Sequence, residues 1–157
     1  MTQTSLVFLR RDGEILLAMK KRGFGEGRWN GPGGKLIPAE TFEAAAAREV
    51  LEEIGVQLAG IKQVAELQFY MDEYDGDVMK NIHCKVFVCR EWSGEPAESE
   101  EMAPQWFGLD AIPYAQMWAD DVYWLPEILA GRYVEAEFWF GAGDTVRDMK
   151  VTVRNAQ

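Results

Sequence analysis

The sequence predicts an α+β fold or a layered αβα domain, with two main helices and a mixed β-sheet. Short segments with strand character recur along the chain between glycine-containing turns, and two segments of helical character interrupt them in an irregular order. The length of 157 residues suits one domain with a core of its own. We therefore expect a single domain that spans residues 1–157.

The first elements are a hairpin and a loop. Residues 4–10 and 14–20 have strand character around Asp12-Gly13, which is a strong signal for a hairpin turn. Residues 22–34 contain six glycines and a proline, so they predict a loop whose backbone can approach its neighbours closely.

Two segments predict helices. Thr41 can cap a helix that runs to about Ile54, and Gly55 just past its end is a typical stop signal. Residues 122–130 predict a second helix, although Pro126 weakens or bends its start.

The remaining strands follow the first helix. An acidic connection at residues 72–77 separates the first two of them, and residues 92–104 form a polar segment that we expect to be a loop. The segments with strand character are residues 64–71, 83–90, 106–109, 133–140 and 146–153.

The charge of the chain restricts its partners. A formal net charge of −10 argues against a nucleic-acid polymer as partner, because such binders present basic surface to phosphates. An acidic site can still hold a nucleotide if divalent cations stand between the two. No apolar run is long enough to span a bilayer, and the first residues look like a strand and not a signal peptide. We expect a cytoplasmic monomer without membrane contacts.

The two cysteines and the single histidine predict no metal site. Cys84 and Cys89 fall on opposite faces of a strand, so they cannot pair with each other, and reduced thiols are expected. His83 lies beside them, but strand alternation scatters the three residues and no fourth ligand is near. A structural role for His83 is the expectation.

Basic residues are concentrated in the first quarter of the chain, and two interpretations stay open. They can be solvated strand ends, or they can form a patch that steers phosphates toward an acidic helix. The residues concerned are Arg10, Arg11, Lys20, Lys21, Arg22, Arg28 and Lys35.

The predicted first helix separates apolar from acidic side chains. At ~100° per residue, Glu49, Glu52 and Glu53 fall within an arc of ~100°, opposite an apolar face. Such a cluster can be a solvated acidic face, or an oxygen site suited to Mg²⁺ or Mn²⁺. Glu40, just ahead of the helix, could pair with Arg48.

The spacing of these residues resembles the Nudix box, G-x5-E-x7-R-E-U-x-E-E-x-G-U, where U is a bulky aliphatic residue. All nine fixed positions of the motif are matched, by Gly34, Glu40, Arg48, Glu49, Val50, Glu52, Glu53, Gly55 and Val56. The resemblance to Nudix hydrolases implies an αβα sandwich that uses divalent metal to cleave nucleoside diphosphates linked to another group.

The resemblance also implies roles for individual residues. Arg48 would orient the glutamates, and Glu49 or Glu53 would activate the attacking water, with Glu101 as a further metal contact or base. Magnesium is the expected metal, with manganese possible. The implied metal ligands are Gly33, Glu49, Glu52, Glu53 and Glu101.

Three other segments, residues 20–35, 98–107 and 116–124, resemble the branch of that family that hydrolyses oxidised purine nucleoside triphosphates. The implied reaction converts substrates such as 8-oxo-dGTP and 2-oxo-dATP to a monophosphate and pyrophosphate, which removes them from the nucleotide pool. Ser5 competes with Thr4 for the contact to the sugar, with Thr4 preferred. The implied substrate-binding residues are Thr4, Lys20, Phe24, Asn30, Phe69, Trp118, Asp120 and Asp121.

The chemistry of the segment around Trp118 suits a purine. A tryptophan face offers stacking worth roughly 1–3 kcal/mol per base. Two adjacent carboxylates in an apolar pocket resist double ionisation, so one can stay neutral near pH ~7 and either edge pattern of a purine can be read. The alternative is an ordinary helix start, with Asp120 or Asp121 as the cap and the aromatic residues, including Trp124, in the core.

Several departures from the pattern of that branch leave other substrates open. Pro32, Ala119 and Glu26 differ from the expected residues, and the connection after residue 71 is longer. The alternatives are a Nudix hydrolase of an alkylated purine triphosphate, a dinucleoside polyphosphate or ADP-ribose, or a non-catalytic nucleotide-sensing module. The complete carboxylate set argues against the non-catalytic module.

Overall fold

A computed structural model describes residues 1–71 and 81–156 of the chain. Two α-helices, α1 (Phe42–Ile54) and α2 (Asp121–Leu129), accompany the strands in that part of the chain. The strands are β1 (Thr2–Arg11), β2 (Glu14–Lys20), β3 (Trp29–Asn30), β4 (Gly33–Lys35), β5 (Gln57–Tyr70), β6 (Asn81–Ser93), β7 (Met102–Gly108), β8 (Arg132–Gly141) and β9 (Thr145–Asn155).

The strands form a mixed sheet, which confirms the predicted α+β class. Their order is β3-β2-β1-β6-β5-β8-β9, with β4 paired to β1 and β7 paired to β2. β1 runs parallel to β6 and β5 runs parallel to β8, whereas the other pairs are antiparallel. The parallel pair β1–β6 places Thr4 beside Cys84, at the edge of what proves to be a cavity.

The two faces of the sheet bury separate apolar clusters, one under each helix. Strand β1 contributes to both, because Phe8 points to the cluster beneath α2 while Val7 and Leu9 point to the cluster beneath α1. Cys84 lies in the first cluster and Cys89 in the second, so the two free thiols are on opposite faces as expected. This layering of helix, sheet and helix is the predicted sandwich.

Helix α1 has the boundaries that its sequence predicts. The Thr41 side chain accepts a hydrogen bond from the Ala44 N–H at 3.0 Å, and Gly55 adopts a left-handed conformation with φ of 73° at the other end. Val50 and Ile54 are buried against the sheet. The opposite face of the helix is thereby held at a fixed angle toward the glycine-rich segment.

Several predicted boundaries were wrong because strand pairing extends into polar sequence. Of the expected loop at residues 92–104, both ends are strand: β6 runs to Ser93 and β7 begins at Met102, which pairs with Lys20 of β2. Backbone hydrogen bonds satisfy these polar segments whatever their side chains. The predicted glycine-rich loop likewise contains the short strands β3 and β4.

The second helix lies close to where the sequence predicts it. Helix α2 begins at Asp121, one residue earlier than expected, and contains Pro126 in its interior. The acidic connection at residues 72–77 lies outside the described residues. Within the described part of the chain, no helix is both long enough and apolar enough to cross a membrane.

Candidate active site

A cavity of about 610 Å³ opens between the glycine-rich segment, strands β1 and β6 and the residues just before α2. It brings together the predicted site residues apart from Arg48 and Glu52. The predicted residues that line it are Thr4, Lys20, Phe24, Asn30, Gly33, Glu49, Glu53, Phe69, Glu101, Trp118, Asp120 and Asp121.

Three of these residues, Glu49, Glu53 and Glu101, form what we call the carboxylate group. Glu53 is only 2% exposed, and its Oε1 accepts a hydrogen bond from the Gly33 N–H at 2.8 Å. Burial, reinforced by the charges of Glu49 and Glu101, raises the pKa of Glu53 to about 7, although the Gly33 N–H and Lys20 act in the other direction. Burial also raises the pKa of Glu49. Near neutral pH, Glu53 can therefore both hold and release a proton.

Arg48 holds one member of the carboxylate group, Glu49, together with Glu40 outside it. Its Nε and Nη2 donate to the two oxygens of Glu40 at 2.8 and 2.9 Å, and its Nη1 donates to Glu49 Oε1 at 2.8 Å. The bidentate contact with Arg48 holds the pKa of Glu40 at about 2. Glu52 is different, because its side chain is 60% exposed, stands 3.5 Å from Arg48 and does not line the cavity.

Two glycines make room for this arrangement. A Cβ on Gly34 would come 2.6 Å from the carboxyl carbon of Glu49, and a Cβ on Gly33 would overlap the backbone oxygen of Ser5. The first obstacle is the tip of a flexible side chain, whereas the second is a paired strand of the sheet. The two positions are therefore expected to respond differently to the same substitution.

We expect Gly34→Ala to lower kcat by about 10–100-fold, because the added methyl group pushes the Glu49 carboxylate out of its position in the cavity. Its melting temperature should stay close to that of the unaltered chain. We expect Gly33→Ala to destabilise the fold by about 1–3 kcal/mol, since β4 must shift away from β1. Thermal unfolding and steady-state kinetics of the two variants check this; equal loss of stability in both would contradict it.

The donor chemistry of the carboxylate group fits a divalent cation. Three carboxylates face one cavity, and their mutual repulsion contributes to the raised pKa of Glu53. Oxygen donors of this kind are those that Mg²⁺ and Mn²⁺ prefer. Within residues 1–71 and 81–156, no three acidic, histidine or cysteine side chains stand close enough to enclose a metal by themselves.

The second part of the cavity is built around Trp118. The Phe24 ring stacks on its indole with centroids 5.0 Å apart and an interplanar angle of 29°. Asp120 Oδ2 accepts a hydrogen bond from the Trp124 Nε1–H at 2.6 Å, whereas Asp121 Oδ2 has no hydrogen-bond partner among the described residues. Both aspartates are buried and line the cavity. Asp121 therefore keeps one buried carboxylate oxygen without a partner in the described chain, at a residue that lines the cavity.

The positions of the two aspartates argue against a purely structural helix start. Asp120 occupies the N-cap position of α2, but its side chain makes no capping hydrogen bond. Burial raises the pKa of Asp120 and, together with the neighbouring charge of Asp120, raises the pKa of Asp121. The pair therefore favours a state with one proton between two carboxyl groups. Trp124 is buried in the core, as expected.

This aspartate pair gives stability a defined pH dependence. Because Asp120 and Asp121 have raised pKa values in the folded chain, that state binds more protons than the unfolded chain above pH ~4, where free aspartates ionise. The free energy of unfolding should therefore fall as the pH rises above ~4 and through about 6, the raised pKa of Asp120, and Glu53 with its pKa of about 7 extends the fall. Denaturant titrations without metal should show a smaller fall for Asp121→Asn; identical slopes would contradict this origin.

Several smaller side chains complete the wall of the cavity. The Ser5 hydroxyl donates to the Phe42 carbonyl at 2.6 Å, so Ser5 fastens β1 to the start of α1, whereas Thr4 lies beside Cys84 and also lines the cavity. Asn30 Oδ1 accepts from the Gly31 N–H at 2.8 Å, which fixes the amide at the cavity wall. The Phe69 ring packs 5.9 Å from Phe138, forming part of the apolar floor.

Sequence analysis did not assign several residues that line the cavity. Strand alternation could have pointed to Cys84 once β6 was paired with β1, but the register of a parallel pair cannot be read from a single sequence. Burial raises the pKa of Cys84 to about 12, so its thiol stays protonated. The unassigned lining residues include Gly25, Arg28, Gly31, Met71, Ile82, Cys84, Met102 and Trp124.

The structure also separates the two interpretations of the basic residues. Lys21, Arg22 and Arg28 are ion-paired with Glu98, Glu101 and Asp144, respectively. Lys20 and Lys35 line the cavity and remain candidates for contact with phosphates. His83 packs edge-on against Phe42 with ring centroids 5.3 Å apart and does not line the cavity.

Comparison with known proteins agrees with this geometry. The sequence profile of the NUDIX domain matches residues 2–128. The chain is 43% identical to the oxidized purine nucleoside triphosphate hydrolase of Danio rerio over 148 residues, which cover 94% of this chain and 92% of that protein. The hydrolase of the same name from Mus musculus is 43% identical over 143 residues, covering 90% of this chain and 88% of that protein.

A solved structure has a similar fold. The crystal structure of the mMutator MutT protein from Bacillus halodurans matches 96% of this chain and 97% of that chain with a TM-score of 0.83, at 21% sequence identity. The chain therefore belongs to the NUDIX domain family, and the resemblance seen in its sequence is confirmed. Hydrolases of this family generally require a divalent metal ion.

Proposed function

We propose that this chain is a Mg²⁺-dependent pyrophosphohydrolase that converts oxidised purine nucleoside triphosphates to nucleoside monophosphate and pyrophosphate. The observation that carries the proposal is the joining, in one cavity, of the carboxylate group with the Trp118, Asp120 and Asp121 pocket. The names of the two relatives that are 43% identical over nearly their full lengths support the same reaction.

The carboxylate group has the chemistry for hydrolysis of a pyrophosphate bond. Glu49, Glu53, Glu101 and the Gly33 carbonyl would hold Mg²⁺, or Mn²⁺ in its place, and we retain exposed Glu52 as a further ligand. Such an ion, when bound, neutralises phosphate charge and lowers the pKa of a coordinated water. Glu53 or Glu49 would take the proton of the attacking water, since burial raises the pKa of both carboxyl groups above that of a free glutamate.

Other residues of the chain position these groups. Arg48 holds Glu49 through its Nη1, and its own direction is fixed by the bidentate contact with Glu40. Lys20 lines the cavity near Glu53 and would contact the phosphate chain. Attack of water on a phosphorus of the α–β phosphoanhydride bridge would break that bridge, so that nucleoside monophosphate and pyrophosphate separate. The carboxylate that takes the proton of the water would then release it to solvent.

The second part of the cavity would select the purine of the substrate. Trp118 and Phe24 would provide aromatic contact area, with Phe69 beneath, and Asn30 would bond one base edge. Asp121 would meet the other edge with its free oxygen, as donor or acceptor according to where the shared proton resides. Thr4 would contact the sugar.

The wider setting of the enzyme is part of the proposal. Residues 1–157 would act as one domain and as a monomer in the cytoplasm, on free nucleotides and not on nucleic-acid polymers, so that damaged precursors are removed before use. The large negative net charge supports the choice of free nucleotides, because proteins that bind polymers present basic surface to the phosphates.

One assay tests the proposal. The purified chain is given 8-oxo-dGTP, 2-oxo-dATP, dGTP, dATP, ADP-ribose and a dinucleoside polyphosphate, with Mg²⁺ or with a chelator, and released pyrophosphate and monophosphate are measured. We expect the oxidised triphosphates to have the highest kcat/KM and the chelator to abolish turnover. Equal kcat/KM for oxidised and ordinary purines would overturn the proposed substrate, and preference for ADP-ribose would replace it.

A further inference from the structure

The indole of Trp118 is held by an ion pair that comes from a distant turn. The Arg28 guanidinium lies 4.1 Å from the centroid of the Trp118 ring, and its Nη2 donates to Asp144 Oδ2 at 2.7 Å. The side chains of Arg28 and Asp144 are 31% and 27% exposed, so their attraction is only partly screened by water. Arg28 and Trp118 line the cavity, whereas Asp144 does not.

The glycine-rich segment surrounds Trp118 at three points. Phe24 stacks on the ring, Arg28 lies over it, and Gly25 passes its edge so closely that a Cβ there would be 3.3 Å from the indole Nε1. Gly25 has a φ of 86°, which a side chain would disfavour in any case. The position of this segment and the position of the indole therefore depend on each other.

Asp144 itself sits in a conformation that few residues adopt. It has a φ of 59° in the turn between β8 and β9, where glycine would be free of strain and aspartate is tolerated. The neighbouring Thr145 hydroxyl donates to the Ala142 carbonyl at 2.9 Å, which closes the turn. The carboxylate of Asp144 is thus presented to Arg28 from a fixed turn and not from a flexible tail.

The ion pair also has an electrostatic consequence for a charged ligand. A nucleoside triphosphate brings several negative charges into the cavity that Arg28 lines. A guanidinium without a nearby carboxylate would be drawn toward those charges, away from the indole. Asp144 supplies that carboxylate at hydrogen-bond distance, so the guanidinium stays on the ring and the charges of the phosphates are left to other groups.

We propose that Asp144 is a positioning residue for purine recognition, acting through Arg28 to fix the indole of Trp118 and the glycine-rich segment around the base. The proposal rests on the proposed function for the identity of the base. It predicts that Asp144 affects the choice between purines and leaves the hydrolytic step itself unchanged.

The main test compares Asp144→Asn and Asp144→Gly with the unaltered chain. Both remove the charge, and glycine in addition relieves the backbone at φ 59°. We expect KM for 8-oxo-dGTP to rise by about three- to tenfold in both, with kcat within about twofold and no fall in melting temperature for Asp144→Gly. A parallel fall in kcat and melting temperature in both variants would overturn the proposal.

The chain offers a matched control on the outer side of the same two strands. Arg154 lies 4.5 Å over the Tyr133 ring and 3.3 Å from Glu135, so it repeats the arrangement of cation, ring and carboxylate away from the cavity. Glu135→Gln should leave KM unchanged. An equal rise in KM for Glu135→Gln would show a general charge effect and would overturn the proposal.

A double-mutant cycle tests whether Asp144 acts through Arg28. In an Arg28→Gln background, Asp144→Asn should have no further effect on KM, because the partner is already absent. Additive effects of the two substitutions would overturn the proposed route.

A spectroscopic measurement separates this proposal from the proposed function. Without nucleotide, the indole N–H resonance of Trp118, assigned with Trp118→Phe, should shift in Asp144→Asn and stay in place in Glu135→Gln. An unchanged Trp118 resonance would overturn the positioning role. If the unaltered chain shows no preference for oxidised purines, the proposed function fails, while the resonance still decides whether Asp144 positions Trp118.

Discussion

Replacing Glu53 by glutamine is expected to lower kcat by about 10²–10⁴-fold, because the amide can neither take a proton from water nor hold a divalent cation well. The fold should survive, since the carbonyl oxygen of the glutamine amide can still accept the hydrogen bond from the Gly33 N–H. Loss of a buried charge beside Glu49 and Glu101 should leave the melting temperature near pH ~7.5 unchanged or slightly higher.

The measurement is pyrophosphate release at saturating substrate, accompanied by thermal unfolding. Glu43→Gln is the matched control, because Glu43 lies on the same helix but is exposed in its first turn. Activity of Glu53→Gln within a few-fold of the unaltered chain would remove Glu53 from the chemistry. Loss of the folded state would instead show that its role is structural.

The second large effect on activity is expected when Asp121 is replaced by asparagine. We expect kcat/KM for 8-oxo-dGTP and 2-oxo-dATP to fall by about 10–100-fold, the range for loss of a buried hydrogen bond that involves a charge. The reason is that Asp121 lines the cavity and has a buried oxygen without a hydrogen-bond partner among the described residues, and an amide cannot exchange donor for acceptor as the shared proton moves. The Mg²⁺ concentration for half-maximal activity should stay the same.

Two companion variants sharpen this second test. Asp120→Asn should affect stability as well as selectivity, because Asp120 also bonds the buried Trp124 indole. Asp12→Asn, in the exposed hairpin turn, should change neither. If Asp121→Asn altered metal dependence more than base selectivity, its assignment to the purine pocket would be wrong.

The helix and its carboxylates were predictable because their causes are local. Thr41 and Gly55 mark the ends of α1 through hydrogen bonds and backbone conformation within one turn, and the spacing of Glu49 and Glu53 follows from helical periodicity. Periodicity gives the direction in which a side chain points, but not how far it reaches. Periodicity therefore grouped Glu52 with Glu49 and Glu53 as a predicted metal ligand, although in the structure its side chain is exposed beside Arg48.

The rest of the site depends on contacts that local sequence does not encode. Asp144 and Arg28 are 116 positions apart, and nothing near either residue indicates the other. Cys84 reaches the cavity through the register of β6 against β1, which is a property of the assembled sheet. The strand ends at Ser93 and Met102 were missed for the same reason, since partner strands and not side-chain polarity decide them.

The carboxylate group lies on and near helix α1, while Trp118, Asp120 and Asp121 come from the segment that opens α2 on the other side of the sheet. Under the proposed function, bond cleavage and the choice of nucleobase would be carried by separate pieces of the chain that meet at one cavity. Changes confined to the α2 segment could redirect such an enzyme to another nucleotide while its hydrolytic chemistry stayed intact.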